Sequence, residues 1–276
     1  MYLKHFGLVE YPFGITPDTS FVYATTGHQE ALNTLLVALR AGEGFVKITG
    51  EVGTGKTLLC RRLLQNLGDK FVTAYLPNPN LEPRTLYLAL AEELRLKVAP
   101  DIDQYHLLKS LNKRLLDIAR EGKSTVVCID EAQAMPLESL EALRLLSNLE
   151  TEKRKLLQWV ILGQPELDKK LGMPEIRQLR QRIAFHYRLP GLGRREVAAY
   201  VAHRLRVAGY RGEELFSSGA IKGLHRASRG TPRLINILAH KALLAVFGEG
   251  HFQVRGKHIK AAARDTEGTR SLRLWW

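Results

Sequence analysis

A three-layer α/β fold on a parallel sheet, followed by a smaller all-helical domain, is what this sequence of 276 residues predicts. Three observations point to it. Over residues 1–190, short apolar runs with strand character alternate with stretches of helical periodicity, the signature of consecutive βαβ units. The run Ser124-Thr125-Val126-Val127-Cys128-Ile129 is apolar without alternation, as in a strand buried on both faces of a parallel sheet. After Pro190-Gly191 no comparable strand appears, and helical periodicity takes over.

The expected elements follow in order. Residues 1–25 are rich in aromatics and proline (Tyr2, Phe6, Tyr11, Phe13, Phe21 and Tyr23, with Pro12 and Pro17 fixing turns) and read as an extended segment laid over a core or lining a purine pocket. A helix spans 27–40, with Leu32, Leu35, Leu36 and Leu39 at three- and four-residue spacing. Strand 44–49 leads through a glycine-rich loop into a helix that ends near Leu67. Strand 71–76 stops at Pro77-Asn78-Pro79. Helices over 84–96 and 103–120 precede strand 124–131. A helix over 137–149, strand 156–163 and a last strand at 185–189 complete the α/β domain, 1–190. Helices at 194–207, 219–228 and 232–247 form a lid domain, 191–267, and 268–276 is a basic, aromatic tail.

The glycine-rich loop carries the chemistry. Gly50-Glu51-Val52-Gly53-Thr54-Gly55-Lys56-Thr57 reads G-x-x-x-x-G-K-T, and Leu58 continues into the helix. The glycines let backbone N–H groups close around phosphate oxygens at a helix N-terminus. Lys56 supplies a point charge for the β- and γ-phosphates, and Thr57 a hydroxyl for Mg²⁺. The strand before the loop and the helix after it are the context that the motif requires. ATP or ADP with Mg²⁺ is the expected ligand set.

Other candidates fall at strand ends, where parallel sheets bind ligands. Asp130 is placed to hold Mg²⁺, and Glu131 to polarise an attacking water. Gln164, after the strand ending at Gly163, is expected to reach the γ-phosphate or that water. Arg177, Arg180 and Arg182 offer a guanidinium for the charge of a transferring phosphoryl group, in cis or from a neighbouring subunit, with Arg180 and Arg182 favoured. Arg233, in Gly230-Thr231-Pro232-Arg233, opens a lid helix and is expected to couple the lid to the γ-phosphate.

Composition narrows the class. The chain is 45% hydrophobic and 25% charged, enough for a full core. No apolar run approaches the roughly 20 residues of a membrane helix, and the start lacks an apolar signal core, which points to a cytoplasmic protein. Cys60 and Cys128 lie in apolar runs and read as buried reduced thiols. The nine histidines show no metal-ligand spacing. Residues 191–276 hold 16 Lys/Arg against 6 Asp/Glu, most of the net charge of +13. That excess fits nucleic acid, anionic lipid or an acidic protein face.

With these residues in place the chain resembles the AAA+ ATPases, with Walker A at 50–57, Walker B at 126–131, a sensor-1 residue at Gln164 and a sensor-2 arginine at Arg233. More narrowly it is similar to the general secretion pathway protein A type, nearest to its MSHA-pilus branch. The likeness runs over about residues 1–265. It is carried by Tyr2 to Phe13 with Pro17-Asp18, by His28-Gln29-Glu30-Ala31-Leu32, and by Ile129-Asp130-Glu131-Ala132-Gln133. Gly163-Gln164-Pro165-Glu166-Leu167 and Leu179-Arg180-Gln181-Arg182-Ile183 complete it. The resemblance implies a nucleotide-dependent homo-oligomer that hydrolyses ATP and assists inner-membrane pilus or secretion proteins. It also implies a sister reading, a DNA-dependent ATPase of the transposition-regulator kind. A slow, nucleotide-gated scaffold is a third, opposed by the presence of both Lys56 and Glu131. Members of this type carry a membrane span and a periplasmic peptidoglycan-binding domain after the ATPase part. This sequence has neither, so any membrane role is expected to be peripheral, through a partner or the basic tail.

Overall fold

The computed structural model describes residues 2–15, 19–21, 23–99, 101–150 and 154–269. Pro17, Asp18 and residues 270–276 of the tail lie outside the described residues. In chain order the elements are α1 (Leu3–Phe6), α2 (Thr26–Arg40), β1 (Phe45–Thr49), α3 (Lys56–Asn66), β2 (Phe71–Leu76), α4 (Pro83–Glu93) and α5 (Gln104–Arg120). They continue with β3 (Ser124–Ile129), α6 (Leu137–Leu146), β4 (Leu157–Gly163), α7 (Pro165–Leu171), α8 (Arg177–Gln181) and β5 (Ile183–Arg188). Last come α9 (Arg194–Val207), α10 (Ser218–Ser228), α11 (Pro232–Gly248) and α12 (Gly256–Arg264). The chain divides into two compact units, one of Gly27–Gly50 and Lys56–Leu189, the other of the described parts of Met1–Thr26, Glu51–Gly55 and Pro190–Trp276.

The first unit is the sheet. Its five strands are all parallel, in the order β2-β3-β4-β1-β5. Every residue of β4, and all of β3 after Ser124, is buried, which is why neither strand alternates in sequence. The edge strand β5 alternates between half-buried and exposed residues. One face of the sheet, with Phe45, Val127, Ile129, Leu157, Trp159 and Ile161, packs on α4 to α7. The other, with Val46, Ile48, Val126, Cys128, Val160 and Leu162, packs on α2 and α3. These are the three expected layers. Helix α5 shows the local logic. Leu107, Leu111, Leu115 and Ile118 recur on one buried face, and the Asp103 carboxylate accepts the His106 N–H at 3.0 Å to cap the helix. Cys60 and Cys128 are free and buried on the α3 face. Their mutual hydrogen bond, together with burial, pushes the Cys60 thiol well above the ordinary range.

The second unit packs α9 to α12 around Val197, Leu224, Ile235, Leu238, Leu243 and Ile259. Residues 1–25 were expected within the α/β domain. The described ones group instead with the helical unit, because their aromatics find its core: Tyr2, Phe6, Phe13 and Phe21 are buried there. The Tyr2 hydroxyl meets His240 Nδ1 at 2.9 Å, and Asn236 donates to the Gly14 carbonyl at 3.0 Å. Arg204 is only 8% exposed, and its Nη1 donates to the Tyr200 hydroxyl at 3.0 Å. It donates to the Pro12 carbonyl and lies 4.7 Å from the centre of the Phe21 ring, so strap atoms satisfy a buried cation.

The turn between α10 and α11 constrains this unit most tightly. Gly230 has φ +76, its carbonyl accepts the Leu192 N–H at 2.8 Å, and a Cβ there would lie 2.2 Å from the Leu192 carbonyl oxygen. Gly230→Ala therefore combines left-handed strain with a backbone clash. It is expected to destabilise the helical unit by about 2 kcal/mol or more, read as an earlier urea transition of that unit.

Candidate active site

Strand register decides which residues meet. Thr49 of β1 pairs with Gly163 of β4, and Ile161 of β4 pairs with Ile129 of β3. The carboxyl ends of three adjacent strands thus deliver Gly50, Gln164 and the Asp130-Glu131 pair to one edge of the sheet. The Gly50 N–H donates to the Gly163 carbonyl at 3.1 Å, which holds the root of the phosphate loop on β4.

Lys56 opens α3, is 4% exposed, and donates from Nζ to the Gly50 carbonyl at 2.8 Å. The lysine thus closes across the root of its own loop. Thr57 Oγ1 donates to Asp130 Oδ2 at 2.5 Å, and Asp130 is 3% exposed. Asp130 Oδ1 accepts the Glu131 N–H at 2.9 Å. The Tyr75 hydroxyl also approaches Asp130 Oδ2, at 3.4 Å. Burial, followed by the Asp130 charge, pushes the Tyr75 phenol up to about 12, so it stays a neutral donor. One hydroxyl and one carboxylate oxygen converging beside a phosphate loop is a donor set that fits Mg²⁺, which takes few protein ligands and completes its shell with phosphate and water.

The middle of the loop belongs to the helical unit. Gly53 has φ +77 and Gly55 φ +95, conformations open to glycine. Thr54 folds its N–H and hydroxyl back onto the Glu51 carbonyl at 3.2 and 2.8 Å. The Arg233 N–H donates to the Gly53 carbonyl at 3.3 Å, and a Cβ on Gly53 would lie 2.4 Å from the Arg233 Cβ. The start of α11 is therefore seated directly on the apex of the loop. Val52 is exposed, and Leu58 is half-buried in the first turn of α3.

Glu131 sits in the left-handed region, φ 52 and ψ 35, unusual for a non-glycine residue. Its Oε2 accepts from Gln133 Nε2 at 2.5 Å and from Gln164 Nε2 at 3.0 Å. Burial alone would raise this carboxyl. The two amide donors and the Lys56 charge outweigh it and hold Glu131 below the usual carboxylate range. Gln164 was expected to face phosphate or water. Its side chain donates to Glu131 Oε2.

The arginines before β5 lie elsewhere. Ile183 pairs with Phe45 and Arg188 with Thr49, so Arg182 stands at the amino edge of the sheet, roughly 15–20 Å from the loop root at about 3.3 Å per residue. Arg182 Nη1 donates to Ser147 Oγ at 2.5 Å and to the Arg144 carbonyl at 3.3 Å, closing the C-terminal end of α6. Arg177 and Arg180 are exposed. Gln133 and Tyr75 belong to the site without having been assigned a role. Gln133 was legible only as part of a motif, and Tyr75 only through the pairing of β2 with β3.

Comparison with known proteins agrees with this geometry. The family model described as an AAA domain matches residues 39–171. General secretion pathway protein A of Aeromonas hydrophila is 44% identical over 275 residues, 100% of this chain and 50% of that protein; the chain thus spans about half the length of this relative. Among solved structures, Cdc6p of Pyrobaculum aerophilum superposes with a TM-score of 0.67 at 16% identity, covering 91% of this chain and 71% of that one. The Aeropyrum pernix ORC2 protein gives 0.64 at 17%, covering 94% and 72%. The Thermotoga maritima RuvB branch migration motor gives 0.57 at 16%, covering 93% and 73%. At these identities the structures speak for the fold alone. Among the described residues no helix is long and apolar enough to cross a membrane. A parallel sheet carrying a phosphate loop and an acidic pair at the adjoining strand end, with these likenesses, leads to one conclusion: the chain has the three-layer fold of the P-loop NTPases, is similar to the AAA domain over residues 39–171, and is similar along its length to about half of general secretion pathway protein A.

Proposed function

We propose that the protein is a cytoplasmic, Mg²⁺-dependent ATPase that converts ATP and water to ADP and phosphate, and supports assembly of a type IV (MSHA-like) pilus or secretion complex at the inner membrane. The observation that carries the hydrolytic reading is the convergence of Lys56, Thr57, Asp130, Glu131 and Gln164 at the carboxyl edge of three adjacent strands. In this reading residues 50–58 wrap the phosphates, and Lys56 exchanges the Gly50 carbonyl for phosphate oxygens. Thr57 and Asp130 would hold the metal, which would supply charge neutralisation for the phosphates. Glu131 takes a proton from a water as its oxygen attacks the γ-phosphorus, and the bond from that phosphorus to the bridging oxygen of ADP breaks. Arg233 senses the nucleotide from the start of α11, and Arg180 or Arg182 of a neighbouring subunit reaches the γ-phosphate in trans. The exposure of Arg180 and the place of Arg182 at the amino edge of the sheet, away from its own loop root, support a homo-oligomer. The pilus or secretion role rests on the kinship with general secretion pathway protein A, with partners at the inner membrane reached peripherally.

The basic excess of residues 191–276 favours a second reading, a DNA-dependent ATPase of the transposition-regulator kind. Duplex DNA separates the two. Under the leading reading ATP turnover is unchanged by DNA at low salt. Stimulation that fades as salt rises would favour the DNA-dependent enzyme.

Lys56→Ala is expected to lose ATP turnover and nucleotide binding together while the fold, followed by circular dichroism, persists; sustained turnover would refute the assignment. Glu131→Gln is expected to keep ATP affinity while the turnover number falls by about 100-fold or more. Equilibrium binding of a fluorescent nucleotide, run beside phosphate release, distinguishes the two variants.

A further inference from the structure

Gln133 occupies a position that its one-line place in a motif does not explain. Its side chain is used at both ends. Nε2 donates to Glu131 Oε2 at 2.5 Å, and Oε1 accepts the Gln164 N–H at 2.9 Å. Its backbone is held as well: Lys170 Nζ, from α7, donates to the carbonyls of Gln133 and Met135 at 2.7 and 2.6 Å. Room for it comes from Gly163, where a Cβ would lie 3.1 Å from Gln133 Oε1 and 2.7 Å from Leu167 Cδ2. The last residue of β4 is thus short of a side chain at the point where Gln133 crosses from β3 to β4.

We infer that Gln133 is a positioning residue for Glu131: it locks one oxygen of that carboxylate, together with Gln164, and leaves the other oxygen to take the proton of the attacking water. Two amide donors, Gln133 Nε2 and Gln164 Nε2, fall on the same atom, Oε2. A carboxylate free to turn about its last bond presents its lone pairs in many directions. Pinned at one oxygen it presents them in one, and misplacement of a catalytic group by about 1 Å can cost on the order of 100-fold. The left-handed backbone of Glu131 serves the same end, since it turns the side chain toward the two glutamines. Because Gln133 also holds the Gln164 N–H, the two clamping amides are not independent: disturbing Gln133 disturbs both.

This inference rests on the reading of Glu131 as the base for ATP hydrolysis, and the test separates the two. Gln133→Glu keeps length and the acceptor for the Gln164 N–H but replaces the donor with an acceptor. Gln133→Ala removes both. For each, the turnover number is expected to fall by about tenfold to 100-fold with the KM for ATP unchanged. In a Glu131→Gln background the same two changes are expected to cost nothing further in turnover. Hydrogen exchange of the Gln164 N–H in the nucleotide-free protein reads the clamp without any turnover: Gln133→Ala, which removes its acceptor, speeds it, and Gln133→Glu, which keeps the acceptor, does not. Wild-type turnover in both variants, or an unchanged Gln164 exchange rate in Gln133→Ala, would overturn the positioning role. If the wild type itself fails to hydrolyse ATP, the hydrolytic reading fails, and the Gln164 exchange alone decides whether Gln133 bridges to the end of β4.

Discussion

Everything in the sheet unit depends on β4 lying between β1 and β3. Parallel strands release their chains at a common edge, and here the three in the middle release a phosphate loop, a glutamine and an acidic pair side by side. The Gly50 to Gly163 hydrogen bond continues the β1–β4 ladder one step past the strands, so the loop begins from a fixed point. A one-residue slip in either ladder would turn each strand's inward side chains outward, and two buried faces forbid it. Core packing and site geometry are therefore one constraint. Val126 and Cys128 face α3 while Val127 and Ile129 face α4 to α7, and that alternation sets the direction in which Asp130 leaves the strand.

Electrostatics then differentiates two adjacent carboxylates. Asp130 is almost fully buried and satisfied by hydroxyls and a backbone N–H, a neutral environment that leaves its charge available to a cation. Glu131 is less enclosed, and two side-chain amides and the Lys56 charge keep it ionised. The same residue pair on one strand end thus supports two tasks because the partners differ, not the carboxylates.

Much of this was legible in the sequence. The strands, the loop, Asp130 and Glu131 are written in local patterns: apolar runs, a fixed glycine spacing, acids at a strand end. What was not legible depends on tertiary neighbours. Nothing in residues 1–25 says that their aromatics belong with α9 and α11 and not with the sheet that follows them in sequence, because burial of a tyrosine or phenylalanine is non-directional. Nothing near Arg182 says that its guanidinium closes the end of α6, a contact made across 35 residues of chain. Gln133 was visible as a letter, but its bridging role requires knowing that β3 and β4 are neighbours and that Gly163 leaves the space.

The strap of residues 2–15 has a consequence for how the chain is made. Tyr2 meets His240 across 238 residues, so the strap's apolar side chains find their partners only after the intervening chain has been made. The sheet unit, Gly27–Gly50 with Lys56–Leu189, can close while the helical unit still waits for α9 to α12. During synthesis Tyr2, Phe6 and Phe13 therefore lack their core until α9 to α12 emerge. Loop-closure entropy must be overcome last, where the sequence separation is greatest. Vectorial synthesis thus lets the sheet unit close before the helical unit.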